Sequence, residues 1–115
     1  MREFDAAQVQ QLLSGPKFTD EPTERRCPAC GARAVRTYVH RRVGPHRTVR
    51  ITSMWCASCR RHKGWTGPDE GPAFDDPLLQ LPDAARADLL GDLEALLARL
   101  DQLWDAGALP QTFQR

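Results

Sequence analysis

From residue 35 to residue 55, apolar and cationic side chains alternate in steps of two. Val35, Thr37 and Val39 fall on one side, with Arg36, Tyr38, His40 and Arg42 on the other. Farther on, Val49, Ile51, Ser53 and Trp55 share a side, opposite Thr48, Arg50, Thr52 and Met54. A period of two in Val, Ile, Thr and Tyr is a strand pattern, and the intervening glycine and proline predict a hairpin. Directly opposed residues of an antiparallel pair point to one side. The apolar sets therefore meet if Val39 faces Ile51 and Val35 faces Trp55, which leaves Gly44-Pro45-His46 as a three-residue turn. A slip by one would bury arginines. The expected sheet has one apolar face and one face showing Arg36, Tyr38, His40, Arg42 and Arg50. The run "RRHKGWT" at residues 60–66 predicts a third strand, with its Trp65 packing beside the two C-x2-C turns.

The period changes at both ends. "REFDAAQVQQLLSG" predicts a short amphipathic helix ending at Gly15-Pro16, with Phe4, Val9, Leu12 and Leu13 on one side. Residues 68–82 hold four prolines and Gly71, and read as an irregular connector that lies on the domain. From Pro82 to Gly107, Leu89, Leu93, Leu96, Leu100 and Leu103 recur at steps of three and four, widened by Leu90, Leu97 and Trp104. One long amphipathic helix is expected, about 24 residues and roughly 36 Å. Gly91 lies inside it at a cost of about 1 kcal/mol relative to alanine. The stripe is longer than a ribbon of some 40 residues can cover. It calls for the N-terminal helix, a protein partner or a second copy in a homodimer.

The class expected is α+β: a small antiparallel three-stranded sheet flanked by a short N-terminal and a long C-terminal helix. Its segments are 1–24, 25–67 and 68–115. With 41% apolar and 27% charged residues the composition is that of a soluble globular chain. No apolar run is long enough to cross a membrane, and the first residues lack the apolar core of a secretory signal. A cytoplasmic location and no membrane partner are expected.

Charge sharpens the division. Residues 25–68 hold eleven Arg and Lys side chains and no Asp or Glu. The preceding segment carries a net −3 and the following one −7, for a total of +1. A carboxylate-free strand face with an aromatic in it suits DNA or RNA, with phosphates on guanidinium and a base on Tyr38. Arg60, Arg61 and Lys63 extend that surface. Two plainer roles compete with this one: edge protection of strands, and neutralisation by the acidic helix of the same chain.

Cys27-Pro28-Ala29-Cys30 and Cys56-Ala57-Ser58-Cys59 are two C-x2-C pairs separated by 25 residues. A reducing compartment argues against disulfides. Two such turns deliver four sulfurs to one tetrahedral ion, so Zn2+ held by Cys27, Cys30, Cys56 and Cys59 is expected. Iron suits four thiolates as well, and a redox pair is a further rival because neighbouring cations lower a thiol's pKa. His62, His40 and His46 are expected off the metal. "CPACG", a strand-like run and then "WCASC" together resemble the zinc ribbon group with rubredoxin-like knuckles, over about residues 25–67. The resemblance implies two knuckles clamping one zinc beside a small sheet, with Gly31 after the first knuckle. Arg60 stands where the second knuckle commonly has glycine. The family serves transcription, ribosomal, replication and adaptor proteins.

No phosphate-binding glycine loop, nucleophile elbow or H-E-x-x-H occurs. A four-thiolate zinc has no open position for water. The chain is thus expected to be no enzyme. The leading expectation is a nucleic-acid-binding accessory or regulatory factor, with a protein-interaction adaptor as the alternative.

Overall fold

The computed structural model describes residues 1–114. Its centre is an antiparallel four-stranded sheet in the order β1-β2-β3-β4, formed by Arg25–Arg26, Arg33–Val43, Thr48–Cys56 and His62–Pro68. Three helices accompany it: α1 (Ala6–Leu13), α2 (Asp83–Leu90) and α3 (Leu93–Asp105), with a 3-10 turn at Pro77–Gln80. The α+β class and the long hairpin agree with the sequence pattern. The three-strand expectation is corrected by β1, a two-residue strand too short to leave a period.

The hairpin register differs from the expected one by a single residue. Val35 faces Cys56, Arg36 faces Trp55 and Val39 faces Thr52. Val39 therefore does not face Ile51, and the connection is Gly44 to Arg47. The expectation assumed one buried face and one wet face. Both faces are covered, which removes the reason to gather every apolar residue on one side. On one side Val35, Met54 and Cys56 pack with Phe4, Leu12 and Cys27. On the other, Tyr38 and Trp55 pack with Leu78, Leu96, Leu97, Leu100 and Leu109.

Helix α1 starts in a capping box. The Gln8 amide donates to Asp5 Oδ1 at 2.8 Å and the Asp5 amide to Gln8 Oε1 at 2.9 Å, so two of the otherwise unpaired first-turn donors are satisfied. The long C-terminal helix is two helices. Gly91 closes α2, and Asp92 opens α3 by accepting from the Ala95 amide at 3.2 Å. A residue read as a costly interruption is a true end, and the aspartate after it restarts the helix as an N-cap. Of the predicted leucine face, Leu96 and Leu100 are buried, Leu89 and Leu103 half-buried, and Leu93 is exposed. The sheet itself covers most of the stripe that called for a partner.

The outer edge of β2 beyond β1 is closed by a side chain. The Val39 amide donates to Gln111 Oε1 at 2.9 Å, and Gln111 Nε2 donates to Val39 O at 2.8 Å and to Asp75 O at 2.8 Å. One carboxamide thus repeats the pairing a neighbouring strand would make, on an edge that would otherwise present free backbone groups.

Candidate metal centre

Each C-x2-C turn is a tight knuckle at a strand end. In the first, Gly31 N–H bonds Cys27 O at 2.9 Å and Cys27 N–H bonds Ala32 O at 2.7 Å. The second repeats this: Arg60 N–H to Cys56 O and Cys56 N–H to Arg61 O, both at 2.9 Å. Ala57 N–H donates to Ala34 O at 2.8 Å and ties the second knuckle to the start of β2. The residue after each pair has a left-handed backbone, φ +80° at Gly31 and +66° at Arg60. Glycine adopts this freely and arginine does so at a cost. The departure noted at Arg60 therefore keeps the knuckle geometry and changes only the side chain that bears it.

The four sulfurs converge. Cys27 Sγ lies 3.7 Å from Cys59 Sγ and Cys30 Sγ lies 3.6 Å from Cys56 Sγ, with all four within 4.8 Å of one another. Sulfurs about 2.3 Å from a central tetrahedral ion would be spaced by roughly 3.8 Å. These distances exceed a disulfide bond of about 2.05 Å, and all four cysteines are free. Cys27, Cys30, Cys56 and Cys59 could therefore hold one metal ion. Backbone amides already point at the sulfurs: Ala29 and Cys30 N–H to Cys27 Sγ at 3.4 and 3.5 Å, and Cys59 N–H to Cys56 Sγ at 3.4 Å.

The thiols differ in surroundings. Cys27 and Cys56 are buried at 1% and 0% exposure, while Cys30 is exposed and Cys59 half-buried. Burial pushes the Cys27 thiol up and the Cys56 thiol up to about 12. Burial pushes on Cys59 in the same direction, but hydrogen bonds from the Arg61 backbone and side chain and from the neighbouring thiols bring it down to about 7. A bound cation would reverse the cost of ionising the two buried sulfurs.

The predicted basic face is not assembled. Tyr38 is fully buried, and its hydroxyl donates to Asp76 Oδ1 at 2.7 Å. Burial, then the Asp76 charge, pushes that phenol well above its ordinary range. A ring in that position cannot stack on a base. His40 is buried beside it. Arg36 donates to Glu24 at 3.0 Å and to Asp101 at 2.8 Å. Arg50 and Arg41 share Asp69 at 2.8 and 3.1 Å, and Arg50 chiefly draws that carboxyl below its usual range. Arg60 meets Asp101 at 2.6 Å, Lys63 meets Glu3 at 3.8 Å, and Arg61 is half-buried beside Cys59. Arg42 is exposed.

Most of the predicted cations are thus consumed inside the fold. The residues that consume them, Glu24, Asp69 and Asp101, with Glu3 beside Lys63, were visible as the acidic flanks of a carboxylate-free centre. The charge segregation was the signal. No helix among the described residues is long and apolar enough to cross a membrane. Comparison with protein families, with curated proteins and with solved structures finds no match for this chain.

Proposed function

We propose that the chain is a non-catalytic zinc-ribbon protein that presents the end of its β2–β3 hairpin to nucleic acid. Cys27, Cys30, Cys56 and Cys59 hold Zn2+, which supplies folding energy and, with four thiolates, leaves no position for a reacting water. The observation that carries the nucleic-acid reading is the state of the hairpin end. Arg42 and Arg47 are exposed and form no ion pair among the described residues, unlike Arg36, Arg41, Arg50 and Arg60. With His46 they line a notch of about 350 Å³ beside Thr66. Cations with no internal carboxylate are free to meet phosphate.

The test is binding of a short single-stranded RNA and DNA to the zinc-loaded chain over a salt series. Affinity is expected to fall steeply with salt, because phosphate contacts release counterions. Arg42→Ala with Arg47→Ala is expected to abolish binding while one zinc per chain and the far-UV spectrum are retained. No binding at low salt ends the nucleic-acid reading, and a metal content other than zinc ends the assignment of the ion.

A further inference from the structure

A cavity of about 380 Å³ lies between β2 and the segment that carries the 3-10 turn and α2. On its β2 side is His40. That ring is 9% exposed and stacks on Tyr38 at 5.6 Å between centroids, and its Nδ1 is buried with no hydrogen-bond partner. A buried polar atom without a partner is uncommon and costly in a folded chain. On the opposite side is Arg86 of α2. Its guanidinium donates to Leu81 O at 3.3 Å and to Asp83 Oδ1 at 2.8 Å, and Asp83 is 97% exposed. So exposed a partner neutralises a guanidinium weakly.

The remaining wall is largely apolar. Val43 is 82% exposed and Leu79 is 63% exposed, and both line the cavity together with Leu90 and Phe74. Asp76 also lines it and keeps its charge, with Oδ1 accepting from the Tyr38 hydroxyl at 2.7 Å and the Leu78 amide at 3.0 Å. Against that charge the wall sets a second guanidinium, Arg41, which donates to Asp69 at 3.1 Å. Helix α2, which forms the cover, buries none of its own residues. The volume falls within the range of small-molecule sites, which pair an apolar lining with a few placed polar groups.

We infer that this cavity binds a small organic acid with an apolar body. The carboxylate meets the Arg86 guanidinium and the His40 ring, displacing Asp83. The apolar body covers Leu79, Leu90 and Val43, and in doing so packs the underside of α2. The site shares no residue with the sulfur cluster or with the hairpin notch other than through the β2 strand itself.

The experiment uses the full zinc-loaded chain, with phenylacetate as the probe and uncharged phenylacetamide as its isostere. Side-chain imidazole resonances are followed by NMR. Phenylacetate is expected to move the His40 resonances saturably, with little response to phenylacetamide. Arg86→Gln is expected to weaken phenylacetate about tenfold, the loss of one charge-assisted contact, with metal content and fold unchanged. The Arg47→Ala chain is expected to bind phenylacetate as before, which separates this site from the hairpin end. A His40 signal that does not move, equal binding of acid and amide, or full affinity in Arg86→Gln overturns the inference.

Discussion

The Trp55 indole N–H donates to Asp101 Oδ1 at 2.9 Å, on the oxygen that also accepts from Arg36 at 2.8 Å, while Oδ2 accepts from Arg60 at 2.6 Å. One carboxylate from α3 thereby joins a fully buried tryptophan of β3, an arginine of β2 and the second knuckle. Asp101→Ala leaves a buried indole N–H without a partner and takes from the largely buried Arg36 guanidinium one of its two carboxylates, Glu24 remaining. It is expected to destabilise the chain by about 3 kcal/mol, nearly all from Trp55 and Arg36. The Arg60 contact is more exposed and adds little. Urea unfolding followed by tryptophan emission reads the change.

Arg60 offers a test of the knuckle backbone. At φ +66° any side chain with a β-carbon is strained. Arg60→Gly and Arg60→Ala both lose Asp101, but glycine relieves the strain. The glycine variant is expected to be more stable than the alanine variant by about 1 kcal/mol, compared by urea midpoint in the metal-loaded state. Equal midpoints would show that the turn does not hold this conformation in solution.

Gln111 closes the β2 edge from 72 residues away. Gln111→Ala strips partners from the Val39 N–H and C=O and is expected to cost about 2 kcal/mol. Faster hydrogen exchange at the Val39 amide, with exchange at Met54 unchanged, would separate a local opening from global unfolding.

The leucine stripe divides by burial. Leu97 is fully buried and Leu93 is 37% exposed. Leu97→Ala is expected to cost about 3 kcal/mol by transfer loss and cavity formation, and Leu93→Ala no more than about 0.5 kcal/mol. Thermal melts of both variants check this. A large loss at Leu93, dependent on protein concentration, would instead reveal a seam between copies.

His40 carries a pH dependence. Burial first, and Arg42 with it, lower its pKa from the ordinary 6.5, against the opposing pull of Asp76. The folded chain keeps the ring neutral where the unfolded chain protonates it. The stability this contributes is therefore present above 6.5 and is lost as pH falls through the lowered folded value. His40→Phe is expected to flatten the loss of stability below pH 6.5. An NMR titration of the His40 ring with a midpoint at or above 6.5 would refute the shift.

The sulfur cluster, the hairpin and α1 were legible because each rests on local chemistry: spacing, a period of two, and an amphipathic stretch closed by Gly15-Pro16. The hairpin register was not, because it depends on what covers each face. Arg36 and Tyr38 were read as wet because one ends in a charge and the other sits among cations. In the fold the Arg36 stem is largely buried while its head reaches Glu24 and Asp101. Tyr38 satisfies its hydroxyl with Asp76. The break at Gly91 was hidden by leucines whose steps continue across it. Gln111 left no trace, since nothing in a single glutamine tells which strand edge it will meet.

The covering of Tyr38 and Trp55 by Leu96, Leu97 and Leu100 has a consequence for biosynthesis. Ribosomal output runs from the N-terminus, so both knuckles emerge some 40 residues before that leucine layer exists. A nascent chain that captures its ion at that stage does so with one side of the hairpin bare. For that interval Tyr38 and Trp55 stand without their apolar cover, until α3 arrives and Asp101 fastens it down.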